Sequence, residues 1–189
     1  MDTSRLPTRR LRIFLRDFRM IEAQASFAEG QSLATYFANR KSYLNLRGAQ
    51  WASTSVDIKH AVLRLDQVLW VAAPDADVDL TIASGHPSER LVELQLDGGL
   101  LIRASLLMGE RQRLSDFLES AGEFIPMTGA QLLRSGRPPK QVNVTLGDIV
   151  LNQQAVQAVW EVGIQADAKQ QPDPEQALFP QEPDDLDEL

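Results

Sequence analysis

The sequence has no cysteine in 189 residues, which excludes disulfides, thiolate nucleophiles and thiolate metal sites. Histidine occurs only at positions 60 and 86. Each stands alone, a poor basis for metal binding or nucleophilic catalysis. No apolar run approaches the roughly 20 residues that a bilayer span requires, so no membrane role is expected. There is no Walker loop and no G-x-G-x-x-G motif. The stretch Met1 to Arg10 is polar and no apolar signal core follows it, so the expectation is a cytoplasmic protein of bacterial type rather than a secreted one. What is present is 43% hydrophobic and 24% charged, the composition of a soluble globular chain long enough for one large domain or two small ones.

The formal charge of −7 is unevenly spread. Residues 1–73 carry 11 basic and 6 acidic side chains, a balance of +5. Residues 74–91 stand at −3 and residues 92–165 at −2, while residues 166–189 hold 8 acids against one lysine. The acidity therefore belongs to the last segment, and a basic region lies at the other end.

A shift of 81 residues aligns Leu11–Trp51 with Val92–Leu132 without a gap, and nine of the 41 positions are identical. Three of these are consecutive: Gly48-Ala49-Gln50 against Gly129-Ala130-Gln131. Apolar matches alone could follow from shared periodicity, but this run points to a tandem duplication. Further on, Val62-Leu63 best matches Ile149-Val150 at a shift of 87. About six extra residues are then expected around Ser135-Gly136-Arg137-Pro138-Pro139-Lys140, which is turn chemistry throughout.

Each copy reads as β-β-α-β-β-β. Leu11, Ile13 and Leu15 alternate with polar neighbours as in a half-buried strand, and Val92, Leu94 and Leu96 repeat the pattern. Asp97-Gly98-Gly99 supplies hairpin residues that tolerate positive φ. A return strand over 21–27 or 102–108 leads to a helix of about ten residues, which Ser32 can cap in the first copy. Its stripe is Leu33, Tyr36 and Phe37, or Leu114, Phe117 and Leu118. Strands are then predicted at about 43–51, 58–65 and 67–72, and at 124–133, 142–151 and 154–162. The fold class expected is mainly β with one short helix per unit, as two tandem small barrel-like or half-open sheet domains. Residues 1–73 form the first, 74–91 a linker with a possible strand at 78–82, 92–164 the second, and 165–189 a disordered acidic tail.

No catalytic constellation stands out. Asp75, Asp77 and Asp79 start like a calcium loop, but Leu80 holds the glycine position and His86 that of the closing acid. Ser115 and Asp116 are neighbours on the second helix, expected not to face each other. No metal and no cofactor are expected, nor an enzyme.

The feature above background is the first strand, where Arg10, Arg12, Phe14 and Arg16 share the face opposite Leu11, Ile13 and Leu15. Such a face could hold a phosphate backbone and stack a base. In the second copy Glu93, Gln95 and Asp97 replace Arg12, Phe14 and Arg16. Opposite charges at equivalent positions could pair the copies, join two chains, or leave the arginines for the acidic tail. The tail itself mixes short apolar anchors, Leu178-Phe179 and Leu186, with acids, as a docking segment or a solubilising one would.

The stretch Arg113-Leu114-Ser115-Asp116-Phe117-Leu118-Glu119-Ser120, followed by Phe124-Ile125-Pro126-Met127-Thr128-Gly129-Ala130, resembles a bacterial family of short β-rich domains with no assigned activity. The resemblance covers Val92 to Val162, and the first copy keeps only its apolar skeleton. It implies the fold unit, contributes no mechanism, and makes the helix motif structural. Together these readings predict a non-enzymatic protein-binding or regulatory module, with a protein partner or self-association expected ahead of nucleic acid. The alternative is a small-barrel RNA-binding protein using Arg10, Arg12, Phe14 and Arg16.

Overall fold

A computed structural model describes residues 7–40, 42–54, 56–74, 87–135 and 140–163. The acidic tail, the aspartates at 75–79, His86 and the strand expected at 78–82 lie outside the described residues. The chain is mainly β: β1 (Thr8–Leu15), β2 (Met20–Ser26), α1 (Leu33–Ala38), β3 (Tyr43–Trp51), β4 (Asp57–Arg64) and β5 (Val68–Ala72) are followed by β6 (Pro87–Leu96), β7 (Leu100–Gly109), α2 (Leu114–Ser120), β8 (Phe124–Ser135), β9 (Lys140–Asn152) and β10 (Val156–Glu161). The helices are shorter than the ten residues expected. Residues 87–91, read as linker, are the start of β6, because β7 runs on to Gly109 and pairs with them.

The ten strands of the described residues lie in one open antiparallel sheet of order β10-β6-β7-β8-β9-β5-β1-β2-β3-β4. Where two barrel-like or half-open units were expected, one sheet carries two cores. The reason is β5. Its outer edge pairs with β9 through Trp70–Leu151, Val71–Val150 and Ala72–Ile149. Val68, Val71 and Ala73 enter the first core, while Leu69, Trp70 and Ala72 enter the second. A strand buried on both faces reads as an unbroken apolar run rather than an alternation, and Val68-Leu69-Trp70-Val71-Ala72-Ala73 is one.

Each half follows the same pairing scheme. Leu15–Val68, Phe14–Trp70, Ile13–Val71 and Arg12–Ala72 join β1 to β5. Leu96–Val156, Gln95–Ala158, Leu94–Val159 and Glu93–Trp160 join β6 to β10, with the irregularity at the same place. Likewise Leu44–Leu63 and Asn45–Val62 on β3 and β4 match Ile125–Leu151 and Pro126–Val150 on β8 and β9. Val62 and Leu63 thus stand where Val150 and Leu151 do, an offset of 88 rather than 87. Gly48 and Gly129 share a left-handed backbone, φ 52° and 58°, where β3 breaks register with β2 and β8 with β7; a side chain is disfavoured there.

The two helices are treated differently. Ser32 accepts from the Thr35 amide at 3.0 Å and caps α1, whose Leu33, Tyr36 and Phe37 are buried. Phe124 of β8 closes over this stripe, with ring centroids 4.8 Å from Phe37. Helix α2 buries no residue fully, although Leu114, Phe117 and Leu118 lean on the second core. At the joint, fully buried Asn152 donates to the carbonyls of Val68 at 3.0 Å and Leu65 at 3.2 Å and accepts from the Gln154 amide at 2.9 Å. One amide thereby satisfies the turn Leu65–Gln67 of the other half.

Candidate functional site

The face of β1 is positioned by strand alternation, with Leu11 and Ile13 buried beneath it. Its members do not form one patch. Arg10 and Arg12 both reach Glu22 on β2, Arg12 at 3.1 Å. These bonds hold the Glu22 carboxyl below its ordinary pKa, the hydrogen bond from Arg10 contributing most and burial opposing it. Phe14 lies flat against Trp70, centroids 4.1 Å apart at 14°, and packs against the second core. Arg16 donates to the Asp66 carbonyl at 2.6 Å and forms an ion pair with Asp97 of the other half. Phe14 therefore presents no open ring face toward Trp70's side for a base to stack on, and the arginines are engaged within the chain.

The charge reversal between halves has a geometric form. Arg12 faces Glu22 across β1 and β2, and at the matching register Glu93 faces Arg103 across β6 and β7. Arg103 Nε donates to Glu93 at 3.0 Å, and Trp160 Nε1 to the other carboxylate oxygen at 3.1 Å. Each half keeps a cross-strand ion pair with the signs exchanged.

A second basic feature went unseen in the sequence. A groove of about 440 Å³ between α1, β2, β3 and β4 is lined by Gln24, Tyr36, Arg40, Asn45, Arg47 and His60 among others, and no carboxylate among the described residues lines it. Arg40 lies over the Tyr36 ring at 4.5 Å, and burial pushes the Tyr36 hydroxyl pKa up against the opposing pull of Arg40. Arg47 and His60 are cross-strand partners, a relation that only the β3–β4 register reveals.

The remaining candidates are mundane. His60 is exposed on β4. Ser115 does face Asp116, at 3.2 Å, because exposed side chains at the first turn of α2 can fold toward each other; the one described histidine, His60, lies on β4. Among the described residues there is no group of three histidine or acidic side chains that could hold a metal, and no helix long and apolar enough to cross a membrane. No family model matches the chain, and comparison with curated proteins and with solved structures finds no match.

Proposed function

We propose that the protein is a non-enzymatic, cytoplasmic protein-binding or regulatory module that takes its partner at an open edge of the sheet. The observation that carries this reading is the outer edge of β4, which no strand among the described residues pairs with, with Val62 67% exposed and Tyr43 57% exposed beside it. An unpaired strand with apolar side chains is a template for strand addition. A tandem duplication of a short β-rich unit, of the family that residues 92–162 resemble, accounts for the common strand order of the halves. Affinity capture with the full chain, with Val62→Lys and with a chain lacking residues 166–189 tests the reading. Partners lost with Val62→Lys support edge recognition. An unchanged partner set across all three sinks it, along with any docking role of the tail.

One observation favours RNA as a second reading: the groove with Arg40, Arg47 and His60, lined by no carboxylate among the described residues. Steeply salt-dependent binding of a single-stranded oligonucleotide, lost in Arg47→Glu, would carry it. Loss in Arg12→Glu instead would return the site to Arg10, Arg12, Phe14 and Arg16. No binding at low salt would end both versions.

A further inference from the structure

The two ends of the sheet are not arbitrary edges. Inside the chain, the fourth strand of the second half, β9, pairs with the fifth strand of the first half, β5. Among the described residues, the strands with an open outer edge are β4 and β10, the fourth strand of the first half and the fifth of the second. One chain thus contains a completed joint and, at its two ends, the separate halves of the same joint.

We propose that copies of this chain join head to tail, β10 of one adding to β4 of the next. The inference rests on the protein-binding reading and names a second copy as the partner. Carrying the internal register over by the pairing correspondences sets Ala158 opposite Leu63, Val159 opposite Val62 and Trp160 opposite Ala61 of the neighbour. These repeat Trp70–Leu151, Val71–Val150 and Ala72–Ile149.

Exposure follows the same logic, residue by residue. Val150 is fully buried at the internal joint, and its counterpart Val62 is the most exposed large apolar side chain described. Phe124 is 3% exposed because it covers α1, whereas Tyr43, in the same register position, is 57% exposed. The helix stripe that such a ring covers is buried in α1 and only half-buried in α2. On β10, Trp160 is 40% exposed. Exposed apolar side chains thus sit at both ends; the counterparts of Val62 and Tyr43 are buried at the one joint that is made, and that of Trp160, Ala72, is half-buried there. In place of buried Asn152, β4 ends in Arg64, which pairs with Tyr43 across β3 as Asn152 pairs with Phe124. Arg64 bonds Asp66 through Nε and Nη2 within its own chain, and Nη1 has donors for the two carbonyls of the neighbour, those of Gln153 and Val156, that correspond to Leu65 and Val68.

Such an interface is heterologous: it uses two different surfaces and repeats until the rotation closes a ring or runs on as a filament. The test uses the purified full chain, Val62→Lys on one edge and Trp160→Lys on the other, each checked for its β-sheet circular dichroism. Analytical ultracentrifugation of the wild type should show concentration-dependent species at multiples of 21.1 kDa, and each folded variant alone should stay monomeric. Mixing the two variants should restore one joint, giving a species of two chains and nothing larger, since both its ends are blocked. A wild type that stays monomeric at high micromolar concentration overturns the proposal. So does a dimer that survives Trp160→Lys but not Val62→Lys, which would mean β4 pairing with β4. A monomeric wild type that still captures partners through Val62 would sink self-assembly alone and leave the protein-binding reading standing.

Discussion

Arg16 and Asp97 occupy the same position in the two halves, 81 residues apart, and form an ion pair with each other. Gln157 donates to the second oxygen of Asp97 at 3.0 Å, and Arg16 also holds the Asp66 carbonyl. The contact ties the turn after β1 to the turn after β6. It is partly exposed, so its worth is modest. A double-mutant cycle with Arg16→Ala and Asp97→Ala, read by urea denaturation, should give a coupling of about 0.5–1 kcal/mol. Strict additivity would mean that the pair is decorative.

Asn152 should matter more. Replacing it with alanine removes the side-chain donor to the buried Val68 carbonyl and leaves the Leu65 carbonyl only its bond from the Val68 amide; losing such buried bonds costs about 1–3 kcal/mol. Asn152→Asp should be worse at neutral pH, since a carboxylate would face two carbonyl oxygens. Chemical denaturation of the three proteins checks the order: wild type, then alanine, then aspartate.

Acid should weaken the β1–β2 ribbon in a defined way. The folded state holds the Glu22 carboxyl below its ordinary value of 4.5, chiefly through the Arg10 hydrogen bond. A carboxyl with a depressed folded pKa contributes stability above its unfolded pKa and loses it as pH falls through the folded one. Unfolding free energy measured downward from pH 6 should therefore fall below about pH 4.5, and Glu22→Gln should flatten part of that slope. An identical slope in the variant would remove Glu22 from the account.

Gly98 takes φ 78° in the turn between β6 and β7, and a Cβ there would overlap the Phe18 ring. Phe18 is itself 44% exposed and can swing aside, so the backbone carries the larger cost. Gly98→Ala should destabilise by about 1–2 kcal/mol, the price of a left-handed L-residue. Most of that loss should persist in a Phe18→Ala background. A loss abolished by Phe18→Ala would mean that the ring, not the backbone, sets it.

Much of the local structure was legible because it is written in short-range chemistry. The alternation of Leu11, Ile13 and Leu15 marks the buried face of β1, and the Ser32 hydroxyl caps α1. The positive φ of Gly98 and Gly99 fits the hairpin that Asp97-Gly98-Gly99 suggests. The candidate site was legible only in composition. Alternation places Arg10, Arg12, Phe14 and Arg16 on one side of a strand. It says nothing of Glu22 ten residues away, Trp70 on another strand or Asp97 in the other half. The groove with Arg40, Arg47 and His60 escaped altogether, since four elements and a register assemble it.

By itself, the sequence determined that the chain would be mainly β, without cysteine chemistry, and that residues 11–51 and 92–132 follow one pattern of apolar and polar positions. Periodicity and turn residues act within a few positions, and these features need nothing more. Only the tertiary structure decided that the two sets of strands share one sheet, with β5 between two cores and β9 at its edge. It also decided that a reversal of charge between Arg16 and Asp97 becomes a contact. Which edge meets which depends on burial and hydrogen bonding across some 80 residues of chain, and a local pattern carries no information at that range.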